Sequence, residues 1–67
     1  MSVKNRLKEI LDERGIKQNW LAEKAGVTKQ TISNLIKNRF SVSLEIAIKI
    51  ANALDLKIED IFYIEDL

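Results

Sequence analysis

Residues 29–37 read KQTISNLIK, and the polar members of this stretch are amides, hydroxyls and lysines with no acid among them. Hydrogen-bonding groups of these kinds suit the edges of nucleobases. Gln30 and Asn34 each carry a donor and an acceptor side by side and can hold adenine N6 and N7 together. Lys29 suits guanine O6 and N7, and Ser33 can donate or accept. An acid in this position would repel phosphate, and an ordinary solvated helix mixes signs through Glu–Lys pairs. With Lys29 at zero and about 100° per residue, Ser33, Lys37, Gln30 and Asn34 fall between roughly 0° and 140°. Leu35, Ile32 and Ile36 fall between roughly 240° and 340° by the same arithmetic. The arcs do not overlap, so one flank can be buried while the other offers its polar groups. The plain alternative is a solubilising helix face, and this segment alone does not separate the two.

The elements around this stretch must hold it in place. Apolar residues recur at helical spacing almost throughout the chain, and no long run alternates. Val3, Leu7, Ile10 and Leu11 form one stripe, which predicts a first helix over about 3–14, closed by Gly15. A second helix over about 18–24 would bury Leu21, Ala22 and Ala25. Gly26 then supplies a turn that admits a positive φ. Thr28 caps a third helix over about 29–37. After the loop NRFSV, Ser43 caps a fourth helix over 44–54, apolar nearly all round and therefore central. Asp55 stands at its stop, where glycine would be less costly in a left-handed conformation. A fifth helix begins near Ile58, with Glu59 and Asp60 at its positive end and Lys57 as a poor cap. The tail FYIEDL has strand propensity and could pair with the N-terminus or with another subunit. Ala22 is small enough for two helices to cross closely, and Gly26 follows four residues later. Two helices joined by so short a glycine-containing turn define a helix-turn-helix.

Composition narrows the classes that remain. The 67 residues allow one small domain with a thin core. There is no cysteine and no histidine, so disulfides and zinc-finger-type metal sites are excluded. The usual catalytic bases and nucleophiles are scarce and no Gly-rich phosphate loop is present, so an enzyme is not expected. No cofactor or small-molecule pocket is evident. No run approaches a membrane span, and the N-terminus carries charges where a signal peptide has its apolar stretch. The expectation is a soluble, cytoplasmic protein. The net charge of +1 hides an asymmetry. Residues 1–40 hold nine basic and four acidic residues, and residues 41–67 hold two basic and six acidic. A basic half and an acidic half predict a polyanion-facing surface with a different role behind it.

The segment QNWLAEKAGVTKQTISNLIKN resembles the lambda-repressor-like, Cro/repressor (xenobiotic-response-element type) helix-turn-helix family. Gln18, Leu21, Ala22, Gly26, Val27, Thr28, Ile32, Ser33 and Leu35 match its motif in unbroken register, and SLEIAIKIANALDLKIEDIF resembles the two helices that follow. The likeness covers about residues 4–62. It implies an all-α, compact five-helix domain over 1–67, with the motif at about 18–37 and a short extended tail at 63–67. It implies a transcriptional regulator, a repressor in our reading, that binds double-stranded operator DNA. Carried over by position, base reading falls on Lys29, Gln30, Ser33 and Asn34. Phosphate contacts fall on Gln18, Lys37, Asn38 and Arg39, beside which we place Lys17 and Thr28. Lys4, Arg6 and Lys8 read as plain surface charges.

The chain departs from the family pattern at several places. Leu11 and Ile36 stand where many members carry a partly buried Arg–Glu pair, and we expect these two to touch. Trp20 replaces a polar residue; it either packs on a neighbouring loop or donates its indole N–H to a phosphate. Val42 stands where proline is common, and Asp55 where glycine would close the fourth helix.

One domain makes too few contacts to find an operator with high specificity, so a homodimer is expected, reading half-sites about one DNA turn apart. Its interface must use the domain itself. We read Ile58, Ile61 and Phe62 as core, and Tyr63 and Ile64 as interface. The rival reading is an antitoxin-like module whose main business is to cover another protein.

Overall fold

A computed structural model describes residues 2–38 and 42–65. Its element order is β1 (Ser2–Asn5), α1 (Leu7–Arg14), α2 (Gln18–Ala25), α3 (Lys29–Ile36), α4 (Leu44–Leu54), α5 (Ile58–Ile61) and β2 (Phe62–Glu65). The fold is mostly helical, with five helices among the described residues, but it is not all-α. β1 and β2 pair antiparallel in the register Ser2↔Glu65, Val3↔Ile64, Lys4↔Tyr63 and Asn5↔Phe62. The tail therefore pairs with the N-terminus of its own chain. No helix among the described residues is long and apolar enough to cross a membrane.

The first helix starts at Leu7 rather than at residue 3, and Val3 is 54% exposed instead of joining the buried stripe. Hydrogen bonding accounts for the shift. The backbone of 2–5 is committed to the ladder with β2, and the Arg6 N–H donates to Ile61 O at 2.9 Å. Asn5 then marks the boundary. Its Oδ1 accepts the Leu7 N–H at 3.1 Å, and its Nδ2 donates to Leu35 O at 2.9 Å. One amide thus starts α1 and ties it to the last turn of α3.

Each helix boundary has a local cause. Gly15 and Gly26 end α1 and α2 with φ of 67° and 70°, and Val27 N–H closes the second end on Ala22 O at 2.9 Å. Thr28 and Ser43 cap α3 and α4 by accepting the N–H groups of Thr31 (3.1 Å) and Ile46 (3.2 Å). Asp55 closes α4 at φ 56°, and Leu56 N–H returns to Ala51 O at 2.9 Å. Lys57 has no side-chain cap for α5 to use, and Asp60 compensates by reaching back to the Lys57 N–H at 3.1 Å.

A Cβ placed on Gly26 would meet no atom within 4 Å, so only its backbone conformation resists substitution. Gly26→Ala is expected to lower stability by about 1–2 kcal/mol, the cost of a left-handed alanine, and to leave the packing intact. A thermal melt beside the wild type checks this; an unchanged midpoint would refute it.

The core gathers Leu7 and Leu11 of α1, Leu21, Ala22 and Ala25 of α2, and Ile32 and Leu35 of α3. Ala47, Ile50, Ala51 and Leu54 of α4 complete it with Ile61 and Phe62. α4 packs against both α2 and α5, in keeping with a central helix, although Leu44 and Ile48 on its far side are exposed. Ala22 and Ala25 are buried where α2 meets α3 and α4, so small side chains set the close approach.

Candidate nucleic-acid interface

The candidate segment is built on a short, firmly anchored rod. α2 and α3 are joined by Gly26, Val27 and Thr28 alone. Ile32 and Leu35 are buried at 0% and 2% exposure, and Ile36 packs partly against the same core. On the opposite flank Lys29 and Gln30 are exposed, and Ser33 and Asn34 are half-buried. Gln30 Nε2 donates to Asn34 Oδ1 at 3.1 Å. Lys37 and Asn38 follow, both exposed, with Asn38 in the left-handed region at φ 56°. Arg39 lies outside the described residues.

Residues from three helices meet beside this flank. A depression of about 460 Å³ is bordered by Lys8 and Asp12 of α1, by Lys17, Gln18 and Asn19 at the start of α2, and by Lys29 of α3. Leu11, Ile16 and Ile36 form its apolar floor. The start of α2 differs from those of α3 and α4 because no side chain caps it. Its first N–H groups therefore face this rim without a side-chain acceptor, an arrangement that favours an anion. Among the described residues the salt bridge found is Glu45–Lys49 on α4, at 3.7 Å; Asp12 is the one carboxylate that borders the depression, and it forms no ion pair within 4 Å with a rim lysine.

The structure thus brings Lys17 and Gln18 together with Lys29, while Thr28 uses its side-chain oxygen to cap α3. Lys8 joins them, a residue set aside as plain surface charge in the sequence. Its signal was there: Lys8 lies three residues before Leu11 and so on the same side of α1. Leu11 and Ile36, the two residues expected to touch, both border this depression. Leu11→Arg is expected to cost about 3 kcal/mol, because a charge at a 3%-exposed position has no acid opposite it. Adding Ile36→Glu should recover part of the loss in urea unfolding, and no recovery would mean that the two sites do not communicate.

Trp20 is 42% exposed and borders a groove with Gly15, Ile16 and Lys17, placing it beside the α1–α2 turn. Lys24 Nζ lies 5.7 Å from its ring centre. On β2, Tyr63 and Ile64 are exposed at 40% and 62%, whereas Ile61 and Phe62 are buried and Ile58 packs partly on the core. Strand alternation puts Tyr63 and Ile64 on opposite faces of the sheet. Ile64 shares its face with Val3, while the Arg6 guanidinium lies over the Tyr63 ring at 5.3 Å.

Two helices joined by a three-residue glycine turn, the second anchored on one flank and open on the other, define a helix-turn-helix protein. Comparison with known proteins makes the class specific: residues 6–66 match the Cro/C1-type HTH DNA-binding domain, and the chain belongs to that family. It is 39% identical over 64 residues to the uncharacterized HTH-type transcriptional regulator YgzD of Bacillus subtilis, covering 96% of this chain and 97% of the relative. An uncharacterized HTH-type transcriptional regulator of Methanocaldococcus jannaschii is 44% identical, with the same coverage. Among solved structures, the restriction-modification controller protein C.AhdI of Aeromonas hydrophila superposes with a TM-score of 0.78 at 29% identity, over 82% of this chain and 83% of that one. The chain is thus a DNA-binding transcription regulator of the Cro/C1 type.

Proposed function

We propose that this protein is a sequence-specific transcriptional repressor that acts in the cytoplasm as a homodimer and reads the major groove of double-stranded DNA with α3. The acid-free outer flank of an anchored α3, continuous with the lysine-rimmed depression at the uncapped start of α2, carries the reading. Lys29, Gln30, Ser33 and Asn34 contact base edges and choose sequence. Lys17, Gln18, Thr28, Lys37, Asn38 and Arg39 contact phosphates and fix the register, with Lys8 extending that track onto α1. The charge asymmetry supports this orientation, because the acidic C-terminal half is repelled from DNA.

Ile64 with Val3 forms the apolar centre of the dimer interface, and Tyr63 lies at its border. The exposure of this directly opposed apolar pair supports that placement. Repression follows when two copies cover an operator and exclude other proteins from it.

Sequencing duplexes selected from a random pool at fixed salt tests the reading. A motif with two-fold symmetry and half-sites about ten base pairs apart is expected. Failure to enrich any motif would leave a protein-interaction module as the better account. Light scattering that returned a monomer at high micromolar concentration would remove the homodimer.

A further inference from the structure

α3 ends without a glycine. Asn38 takes the left-handed φ of 56° there, the conformation that Gly15 and Gly26 adopt after α1 and α2. Asparagine accepts this region less readily than glycine, so the end draws on outside support. Leu35 O receives two donors, the Asn38 N–H at 3.0 Å and Asn5 Nδ2 at 2.9 Å. Asn38 Oδ1 lies 3.5 Å from the same Nδ2, whose two hydrogens suffice for both acceptors. The other end of the Asn5 amide accepts the Leu7 N–H at 3.1 Å, which only its oxygen can do. The sheet holds the residue in place, because its backbone pairs opposite Phe62. α4 also ends on a non-glycine residue, Asp55, and there Arg14 Nη1 donates to Leu54 O at 2.7 Å. The α3 end differs in what lies beside the cap: Lys37 and Asn38, the two exposed residues that carry the chain out of the helix.

Resting on the reading of Lys37 and Asn38 as phosphate contacts, we propose that Asn5 is a positioning residue for DNA binding: from the sheet it caps the last turn of α3 and fixes the direction in which Lys37 and Asn38 leave it. The last carbonyls of a helix have no partner within the helix, and without a cap the final turn frays. Asn5 bonds to one of them and lies against the side chain of the residue that turns the chain. The exit from α3 therefore stands in one arrangement before DNA arrives, and less freedom is lost when phosphates are engaged. Asn5 itself is half-buried behind that exit and touches no nucleotide in this role. Its cap is in place only while residues 2–5 are paired with 62–65, so the two ends of the chain together shape a segment in its middle.

The test is the affinity for a duplex selected from the random pool, measured on variants that circular dichroism shows to be folded at the measuring temperature. Asn5→Ser keeps a neutral acceptor for the Leu7 N–H but is too short to reach Leu35 O, so α1 starts normally while α3 loses its tie. It should bind about tenfold more weakly with the base preference unchanged, because the outer flank of α3 is untouched. Lys37→Gln should weaken binding by itself, and in that background Asn5→Ser should cost no more than about threefold, because the lysine it positions is gone. Asn5→Thr, whose branched side chain suits a strand, takes the place of the serine variant if the latter melts below the measuring temperature. If the folded variant binds like the wild type, shifts the base preference, or shows a loss that multiplies in full with that of Lys37→Gln, Asn5 does not act through the exit segment; the positioning role is then wrong while the phosphate track stands. If Lys37→Gln binds like the wild type, the exit segment meets no phosphate, and the positioning role falls with that reading.

Discussion

Ile32→Ala is expected to remove about 2–5 kcal/mol of folding stability, the range for truncating a large buried aliphatic side chain. Ile32 is wholly buried on the core-facing flank of α3, among residues contributed by the other helices. A chain of 67 residues holds only about 3–10 kcal/mol in total, so the loss would bring the fold to its margin. Two effects combine: the transfer free energy of the missing carbons, and a cavity that the rigid surroundings fill only partly. The control is Lys29→Ala on the opposite flank, exposed and expected to shift stability by less than about 0.5 kcal/mol. Urea unfolding followed through Trp20, the sole tryptophan, measures both. Operator duplex should raise the Ile32→Ala midpoint, because a ligand that binds the folded state alone stabilises it by mass action. An Ile32→Ala midpoint equal to that of the wild type would mean that α3 is not held by this flank, and the rod on which the reading surface depends would lose its anchor.

Raising salt from about 50 to 200 mM is expected to weaken DNA binding about ten-thousandfold. The magnitude follows from Lys8, Lys17, Lys37 and Arg39 in each of two copies, about eight neutralised phosphates and as many released counterions. Hydrogen bonds to base edges contribute little to that slope, so the measurement isolates the electrostatic part of the interface. Lys8→Gln sharpens it. Lys8 borders the depression with Lys17, Gln18 and Lys29, and removing its charge from both copies should flatten the log–log slope by about two units. The selected sequence should stay the same, because phosphate contacts position the protein without choosing bases. Fluorescence anisotropy of a labelled duplex across a salt series gives both numbers. A slope near zero would refute the phosphate track, and an unchanged slope in Lys8→Gln would return Lys8 to an ordinary surface charge.

Much of the candidate surface was legible in the sequence because its causes are local. The apolar arc of Ile32, Leu35 and Ile36 gave the buried flank of α3 through helical periodicity alone, and Thr28 marked its start by a cap formed within three residues. Gly26 marked the turn because few other residues tolerate its φ, and Asp55 was placed at the helix stop where it is found in the left-handed region. Val3 misled for an equally physical reason. It lies four residues before Leu7, the spacing of one helix face, yet its backbone pairs with a strand at the other end of the chain. Periodicity carries no information about a ladder partner so distant in sequence. Tyr63 and Ile64 were both read as interface, and the sequence did not show that strand pairing puts them on opposite faces of the sheet.

The order of residues by itself determined the helices, their caps, the glycine turn and the division of α3 into a greasy flank and an amide-rich one. These follow from hydrogen bonds and periodicities spanning three or four residues. Tertiary structure decided what no local rule reaches: that residues 2–5 close a sheet with 62–65, that Val3 comes to face Ile64, and that Lys8 of α1 meets Lys17 and Lys29 around one depression. Each of these depends on how separate elements pack around a shared core, where burial of apolar surface, rather than any short stretch of chain, sets which side chains become neighbours.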